Sequence, residues 1–172
     1  MSIRPLHPAE TDLYRRLRLD ALRTDPSAFG SNLERELGFD EATWRARMAG
    51  PEGRPGQIFV DEVDGMAVGL VGIGRSADPS DAVLWGMWVS PAARGTGAST
   101  RLVQAAVDWA ARMGASTVTL GVMRRNGPAI ALYERMGFVA AGSVDGPPDD
   151  PCAGQLVMRR PAATTDGTGA AG

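Results

Sequence analysis

The sequence contains no lysine, a single cysteine and a single histidine, and these absences exclude several kinds of site. All 18 basic residues are arginine, so the phosphate-binding motif G-x-x-x-x-G-K-[ST] cannot occur. One cysteine cannot form a disulfide within the chain, and Cys152 and His7 are too few for a Cys/His metal cluster. The sequence therefore predicts neither a P-loop nor a metal site.

Strong charge and long apolar runs are also missing. The formal net charge is −2, and no stripe of basic residues alternates with aromatics, so we expect no nucleic-acid partner. No stretch approaches the roughly 20 apolar residues of a membrane helix, and the first residues, Met1–Pro5, contain no apolar signal region. We expect a cytoplasmic protein without a membrane partner, and the sequence leaves a homodimer open.

The length of 172 residues suits one domain with one substantial core. We predict a single domain over residues 1–160. Residues 161–172 are Pro, Ala, Thr, Asp and Gly without apolar periodicity, which predicts a disordered C-terminal tail.

One segment organises the chain, and it lies between a predicted strand and a predicted helix. The apolar run Val83–Trp88 predicts a buried strand, and apolar residues at helical spacing predict a helix over Arg101–Arg112. Between them, Gly95 and Gly97 permit a tight turn in which backbone N–H groups converge at the positive end of the helix. This geometry suits a pyrophosphate, although two glycines also fit a plain structural turn. No G-x-G-x-x-G followed by the required acidic residue supports dinucleotide binding.

The remaining elements follow from periodicity, caps and turn residues. Asp64-Gly65 between two apolar runs is a strong hairpin signal. Asp40 can cap a helix that ends near Gly50. The predicted strands are 3–6, 58–63, 66–73, 116–122, 138–144 and 155–159, and the predicted helices are 8–23, 27–37, 40–50 and 128–136.

Two motifs resemble those of the GNAT family of N-acetyltransferases. Val89-Ser90-Pro91 followed by Arg94-Gly95-Thr96-Gly97 is similar to the family's acetyl-CoA pyrophosphate loop, Q/R-x-x-G-x-G/A. Downstream, the segment from Asn126 to Phe138 is similar to N-x-x-A-x-x-L-Y-x-x-x-G-F. The resemblance covers roughly residues 3–160. One departure is Ser99, which stands where the first motif ends in Gly or Ala.

The resemblance implies a mixed α/β fold, with a mostly antiparallel central sheet, one splayed pair of parallel strands and helices on both faces. Acetyl-CoA would lie where the strand ending at Val89 separates from the strand Thr117–Val122. Backbone groups left unpaired there could bind the pantetheine arm. The implied cofactor-binding residues are Met87, Trp88, Val89, Arg94, Gly95, Thr96, Gly97, Ala98, Ser99, Asn126 and Ala129.

Two residues are predicted to be catalytic. Tyr133 matches the family's general acid beside the thioester sulfur, although its spacing with Ile130 and Met136 also fits a core aromatic. The glutamate of the peptide-acetylating branch is absent, because Gly121 occupies that position, five before Asn126. Glu34 is the predicted replacement base; a solvated helix face, or a proton path through water, explains the sequence equally well.

The acceptor pocket is predicted to be shaped by Phe29, Glu34, Glu36 and Trp85. Trp85 and Trp88 differ in strand parity, so one could face the acceptor and the other the helices, but core packing is the favoured interpretation for both. The predicted function is acetyl-CoA-dependent N-acetyl transfer to the primary amine of a small molecule, such as an amino-sugar antibiotic, a polyamine or an amino-acid derivative. A protein or peptide N-acetyltransferase and a non-catalytic acyl-CoA-binding module are the alternatives.

Overall fold

The computed structural model describes residues 1–147 and 153–162, which form seven strands and five α-helices. The strands are β1 (Ser2–Pro5), β2 (Gly56–Val63), β3 (Met66–Arg75), β4 (Asp81–Val89), β5 (Thr117–Met123), β6 (Val139–Val144) and β7 (Gln155–Pro161). The α-helices are α1 (Thr11–Thr24), α2 (Leu33–Leu37), α3 (Glu41–Ala49), α4 (Ala98–Arg112) and α5 (Gly127–Arg135). No helix in the described ranges is long and apolar enough to cross a membrane.

The strands form one sheet in the order β1-β2-β3-β4-β5-β7-β6. Every pairing is antiparallel except that of β4 with β5. This parallel pairing runs only from Asp81 opposite Thr117 to Leu84 opposite Leu120. Beyond Leu84 the two strands separate, so the predicted fold class, including the splayed parallel pair, is confirmed.

Helices cover both faces of the sheet. On one face, α1 and α3 close a core around Tyr14 and Trp44. On the other face, α4 and α5 close a core that includes Leu102, Val107 and Tyr133. Leu102 and Val107 are at most 1% exposed, and a fully buried side chain of this size stabilises the fold by roughly 1.5–3 kcal/mol. The packing of α4 on β2, β3 and β4 fixes where its N-terminus lies.

Local signals placed two elements correctly. Asp64 and Gly65 both have positive φ, 51° and 77°, as a two-residue type I′ hairpin turn requires, and they join β2 to β3. Asp40 precedes α3, and its Oδ1 accepts a hydrogen bond from Thr43 N at 2.8 Å.

The helix predicted over residues 27–37 is wrong, because two short elements stand in its place. A 3₁₀ turn covers Pro26–Ala28, and Phe29 is extended, with φ −120° and ψ 151°. The helix α2 then begins after Asn32, whose side chain accepts a hydrogen bond from Arg35 N at 2.9 Å. Gly30 and Ser31 favour a turn over a helix, and the side chain of Asn32 supplies a new helix start.

A bulge in β4 places Trp85 and Trp88 on the same side of the sheet, as the favoured core-packing interpretation requires and against the opposite facing that strand parity alone would give. Trp85 lies opposite Gly72 and Trp88 opposite Leu70, so β4 has one more residue than β3 between these pairs. Gly86, inside the bulge, has φ 63°. The extra residue reverses the strand parity, and both indoles pack on the core beneath α1 and α3.

The last strand extends past its predicted end at Arg159. It continues to Pro161, and Ala162 is buried, with its N–H bonded to Ser116 O at 2.9 Å. The predicted tail therefore starts no earlier than residue 163, and residues 163–172 lie outside the described part of the chain.

Candidate active site

A cleft of about 370 Å³ lies where β4 and β5 separate. Its walls come from the end of β4, the segment that follows α1, the N-terminus of α4 and one side of α5 along its length. The predicted cofactor-binding residues that line it are Met87, Trp88, Val89, Arg94, Gly95, Ala98, Ser99, Asn126 and Ala129. Thr96 and Gly97 belong to the same loop but are not among the lining residues.

The loop before α4 has the conformation that its glycines suggest. Gly95 and Gly97 have φ of 79° and 80°, which disfavour a side chain. Gly97 is the N-cap of α4 and has no side chain, so the N-cap residue provides no acceptor for the N–H groups of the first turn. These N–H groups at the positive end of a 15-residue helix fit the pyrophosphate of acetyl-CoA.

The adjoining strand also fits the rest of this ligand. After Leu84, none of the described strands pairs with β4 on its β5 side. The backbone groups of Met87–Val89 on that side are therefore without a strand partner. The Val89 carbonyl accepts a hydrogen bond from Arg94 Nε, and the other groups can bind a ligand's amides. Ser99, the departure from the family motif, is partly buried in the first turn of α4 and lines the cleft.

Arg101 fixes the glycine loop to the sheet, a role that the sequence did not reveal. Its Nη1 donates to Thr96 O at 2.9 Å, and its Nη2 donates to Asp61 Oδ2 at 2.5 Å. Asp61 lies on β2 and is fully buried. An acidic residue inside an apolar strand was the available signal, since buried charges are normally paired.

Asp25, also missed from the sequence, joins three parts of the cleft. It follows the last residue of α1, and its Oδ2 accepts hydrogen bonds from Trp88 Nε1 at 2.9 Å and Arg94 Nη2 at 2.5 Å. Arg94 also donates to Val89 O at 3.2 Å. The guanidinium of Arg94 is thus held at the cleft by the protein itself.

Asn126 is the N-cap of α5, and Tyr133 lies on that helix. The Oδ1 of Asn126 accepts a hydrogen bond from Ala129 N at 3.3 Å and so caps the helix, which leaves its amide N–H groups available to a ligand. Tyr133 is 5% exposed and packs edge-on against Phe138, with ring centroids 5.6 Å apart. It is not among the lining residues of the cleft, although Ala129, one turn earlier on the same helix face, is.

The electrostatic surroundings of Tyr133 keep its hydroxyl protonated. Burial raises the pKa of the phenol above its ordinary value of 10.0, because the charged phenolate is disfavoured away from water. None of the hydrogen bonds among the described residues involves this hydroxyl. Tyr133 therefore carries a proton across the neutral range.

The predicted acceptor residues are not gathered in one place. Phe29 lines the cleft. Glu34 is exposed on α2 and does not line it. Trp85 is partly buried, and its indole lies over Gly72, where an added Cβ would come within 2.3 Å of the ring.

The sequence predicted that Glu36 helps to shape the acceptor pocket. The structure contradicts this prediction, because Glu36 is buried and does not line the cleft. Its side chain is fully buried, and it accepts hydrogen bonds from Arg18 Nε at 2.9 Å and Nη2 at 2.7 Å. Burial by itself would raise the pKa of this carboxyl, but the hydrogen bond and charge of Arg18, with smaller effects of Ser31 and Arg47, lower it below its ordinary value of 4.5. Glu36 is therefore an ionised partner of Arg18.

In the described ranges, no group of three or more His, Cys, Asp or Glu side chains is placed to hold a metal ion.

Replacement of Gly97 by valine is expected to weaken coenzyme A binding by about 10- to 100-fold. A Cβ at this position meets Arg101 Nη1 at 3.3 Å and demands a positive φ that valine avoids. The loop would shift and lose hydrogen bonds to the pyrophosphate. Each lost charge-assisted hydrogen bond costs about 1.5–3 kcal/mol of binding free energy, and about 1.4 kcal/mol corresponds to a tenfold change in Kd. Calorimetric titration, or the rise in melting temperature with added coenzyme A, measures the change.

The control for this variant is Gly114→Val at the other end of α4. Gly114 has φ 78°, and an added Cβ there meets no atom within 4 Å. Both variants strain the backbone, but only Gly97 adjoins the cleft. Equal coenzyme A affinity in the two variants would show that the loop is a structural turn.

Comparison with known proteins agrees with this geometry. Residues 16–138 match the model of the Acetyltransferase (GNAT) family. A curated relative, L-2,4-diaminobutyric acid acetyltransferase of Nocardia farcinica, is 38% identical over 80 residues, which are 46% of this chain and 42% of that protein. This match spans about two-fifths of the relative's length.

Solved structures share the fold over nearly the whole chain. A GCN5-related N-acetyltransferase from Kribbella flavida superposes with a TM-score of 0.72 at 23% identity, over 93% of this chain and 96% of that one. An acetyltransferase of Salmonella typhimurium, solved with its cofactor acetyl-CoA, has a TM-score of 0.71 at 22% identity and covers 99% of each chain. The predicted cofactor, acetyl-CoA, agrees with both the family and the cleft. With the splayed strands, the glycine loop and the match over residues 16–138, this chain belongs to the acetyltransferase (GNAT) family.

Proposed function

We propose that this protein transfers the acetyl group of acetyl-CoA to the primary amine of a small molecule. The observation that carries the proposal is the cleft at the β4 and β5 separation, which has the N-terminus of α4 at one end and α5 along its side. The curated relative is a diaminobutyric acid acetyltransferase by name, and this supports a small amine as the acceptor.

Tyr133 is the proposed general acid. Bound acetyl-CoA supplies an activated acetyl group as a thioester. The neutral acceptor nitrogen bonds to the carbonyl carbon, the carbon–sulfur bond breaks, and Tyr133 gives its proton to the departing sulfur. The proton that the nitrogen loses as it becomes an amide restores the phenol of Tyr133. Three observations support this role for Tyr133. It matches the family motif, burial keeps its hydroxyl protonated, and no described residue forms a hydrogen bond with that hydroxyl.

The proton of the acceptor ammonium needs a separate route. We propose that either Glu34 or water carries it, and the exposed position of Glu34 on α2 favours water. The pH–rate profile of Glu34→Gln distinguishes them. An unaltered acidic limb assigns the proton to water, whereas a lower turnover number that recovers at higher pH assigns it to Glu34.

Gly121 argues against the protein-acetylating alternative. It offers no carboxylate, and Gln155 fills the space beside it, with Oε1 2.2 Å from where a Cβ at residue 121 would stand. A glutamate could be accommodated at this position only if Gln155 moved.

A panel of amines tests the proposed function. We expect purified protein and acetyl-CoA to release free thiol with at least one small diamine, amino sugar or amino-acid derivative, and to act more slowly on peptides with a free N-terminus. Preferred turnover of peptides would favour the protein-acetylating alternative. Binding of acetyl-CoA without thiol release with any amine would favour a non-catalytic binding module.

A further inference from the structure

Two arginines converge on one buried carboxylate beside the cleft. Arg18 on α1 holds Glu36 through two hydrogen bonds, and Arg47 Nη2 on α3 lies 3.5 Å from Glu36 Oε1. The Arg18 side chain is 7% exposed, that of Glu36 is fully buried, and that of Arg47 is 34% exposed. These three side chains form the arginine cluster.

Within residues 1–147 and 153–162, no carboxylate other than that of Glu36 pairs with Arg18 or Arg47, so the described part of the arginine cluster has one more positive than negative charge. Two guanidinium groups share a single carboxylate, and the nearby acidic residues Glu41 and Glu52 pair instead with Arg45 and Arg54. Largely buried charge is costly unless an opposite charge meets it. The arrangement is therefore one anion short of neutrality.

Donors of the cluster also remain unused. Arg47 Nε is buried, and no described residue accepts a hydrogen bond from it. Among the described hydrogen bonds, none uses Arg18 Nη1. Phe29 lies 4.6 Å from the Arg18 guanidinium, and Phe39 lies 5.3 Å from that of Arg47. The ring faces attract cations but do not replace an anionic acceptor.

Two neighbours of Arg18, Gly86 and Phe29, connect the arginine cluster to the wall of the cleft. Arg18 Nη1 is the atom nearest to a Cβ built on Gly86, at 3.7 Å. Gly86 is in the β4 bulge and directly precedes Met87 of the cleft wall. Phe29, which stacks on Arg18, also lines the cleft. On the α3 side, Arg47 and Trp85 line a further groove of about 450 Å³.

We propose that the arginine cluster binds a carboxylate of the acceptor, so that the substrate class is an amino acid with a reactive primary amine. The inference rests on the proposed function and specifies its acceptor. An anion next to Arg18 and Arg47 neutralises the cluster, and the planar guanidinium groups match the geometry of a carboxylate. A substrate of this kind places its amine beside the β4 bulge while its carboxylate lies against α1 and α3.

A pair of amines that differ only in the carboxylate tests the inference. L-2,4-Diaminobutyrate and 1,3-diaminopropane have the same two amines and the same spacing. We expect kcat/KM to be about 10- to 100-fold higher for diaminobutyrate, as hydrogen bonds to a charged group imply. Arg47→Gln should reduce this ratio about tenfold or more, and Arg35→Gln, an exposed change on α2, should preserve it.

The outcomes separate the inference from the proposed function. Equal kcat/KM for the two diamines, with clear turnover of both, would refute the carboxylate site and leave the acetyltransferase function intact. A preference that persists unchanged in Arg47→Gln would refute the assignment to the cluster. Absence of thiol release with these and all other amines would refute the proposed function itself. Arg18→Lys supplies a second test, because it keeps the positive charge beside Glu36 but loses the planar guanidinium. We expect the ratio of kcat/KM for diaminobutyrate to that for diaminopropane to fall in this variant as well.

Discussion

Tyr133→Phe is expected to lower the turnover number by roughly 100-fold and to leave coenzyme A affinity almost unchanged. The substitution keeps the edge-on packing against Phe138 and removes only the hydroxyl, which is held protonated by burial. General acid catalysis contributes about 10²- to 10⁴-fold, and the loss should be seen in kcat because the proton is needed only in the transition state. Steady-state kinetics with an accepted amine, together with a coenzyme A titration, measure both quantities.

The other tyrosine provides a matched control. Tyr14 is 2% exposed and packs edge-on against Trp44, in the core on the opposite face of the sheet. Tyr14→Phe is the same chemical change in an equally buried ring, and we expect it to preserve turnover. If the two variants differ only in melting temperature and not in kcat, Tyr133 is a core aromatic and the proposed mechanism is wrong.

Glu36→Gln is expected to lower the free energy of unfolding by about 3–5 kcal/mol. The change removes the negative charge that faces Arg18 at 2.7 Å in a site where both side chains are at least nine-tenths buried, and a buried charge without its partner is costly by about this amount. Chemical denaturation at neutral pH measures the loss. Glu34→Gln is the control, since the same substitution at an exposed position of α2 should stay within about 0.5 kcal/mol.

The pH dependence of stability provides an independent check on the same pair. The pKa of Glu36 is lower in the folded protein than its ordinary value of 4.5. Its contribution is therefore complete above that value and is lost as the pH falls from there through the lowered folded-state pKa. The wild type should lose stability in this acidic range more steeply than Glu36→Gln. Parallel curves would mean that Arg18 does not hold the carboxylate in its ionised form.

The parts that the sequence predicted well are those that local chemistry determines. Asp64-Gly65 requires positive φ at two successive residues, and Asp40 has only to bond an N–H three residues later. The two family motifs likewise lie in continuous segments, at the N-termini of α4 and α5. Such features depend on near neighbours in the chain, so no knowledge of tertiary packing is needed.

The parts that were missed depend on contacts between distant segments. Glu36 and Glu34 look alike in the sequence, and only the packing of α2 against α1 decides that Glu36 meets Arg18 while Glu34 faces solvent. One extra residue at Gly86 reverses the parity of Trp88, and period-two counting cannot anticipate a bulge. Asp25 gains its role from residues more than 60 positions away.

The position of Trp88 gives the protein an intrinsic optical reporter of its cleft. Of the four tryptophans, all of them within the described ranges, only Trp88 lines the cleft. Its indole N–H shares the Asp25 carboxylate with Arg94. A phosphate that draws Arg94 away from Asp25 alters the hydrogen bond and the polarity at this indole, whereas Trp44, in the core beneath α1, contributes a constant background. Tryptophan fluorescence, excited at a wavelength longer than the absorption band of adenine, should therefore change when a ligand enters the cleft of the unlabelled protein.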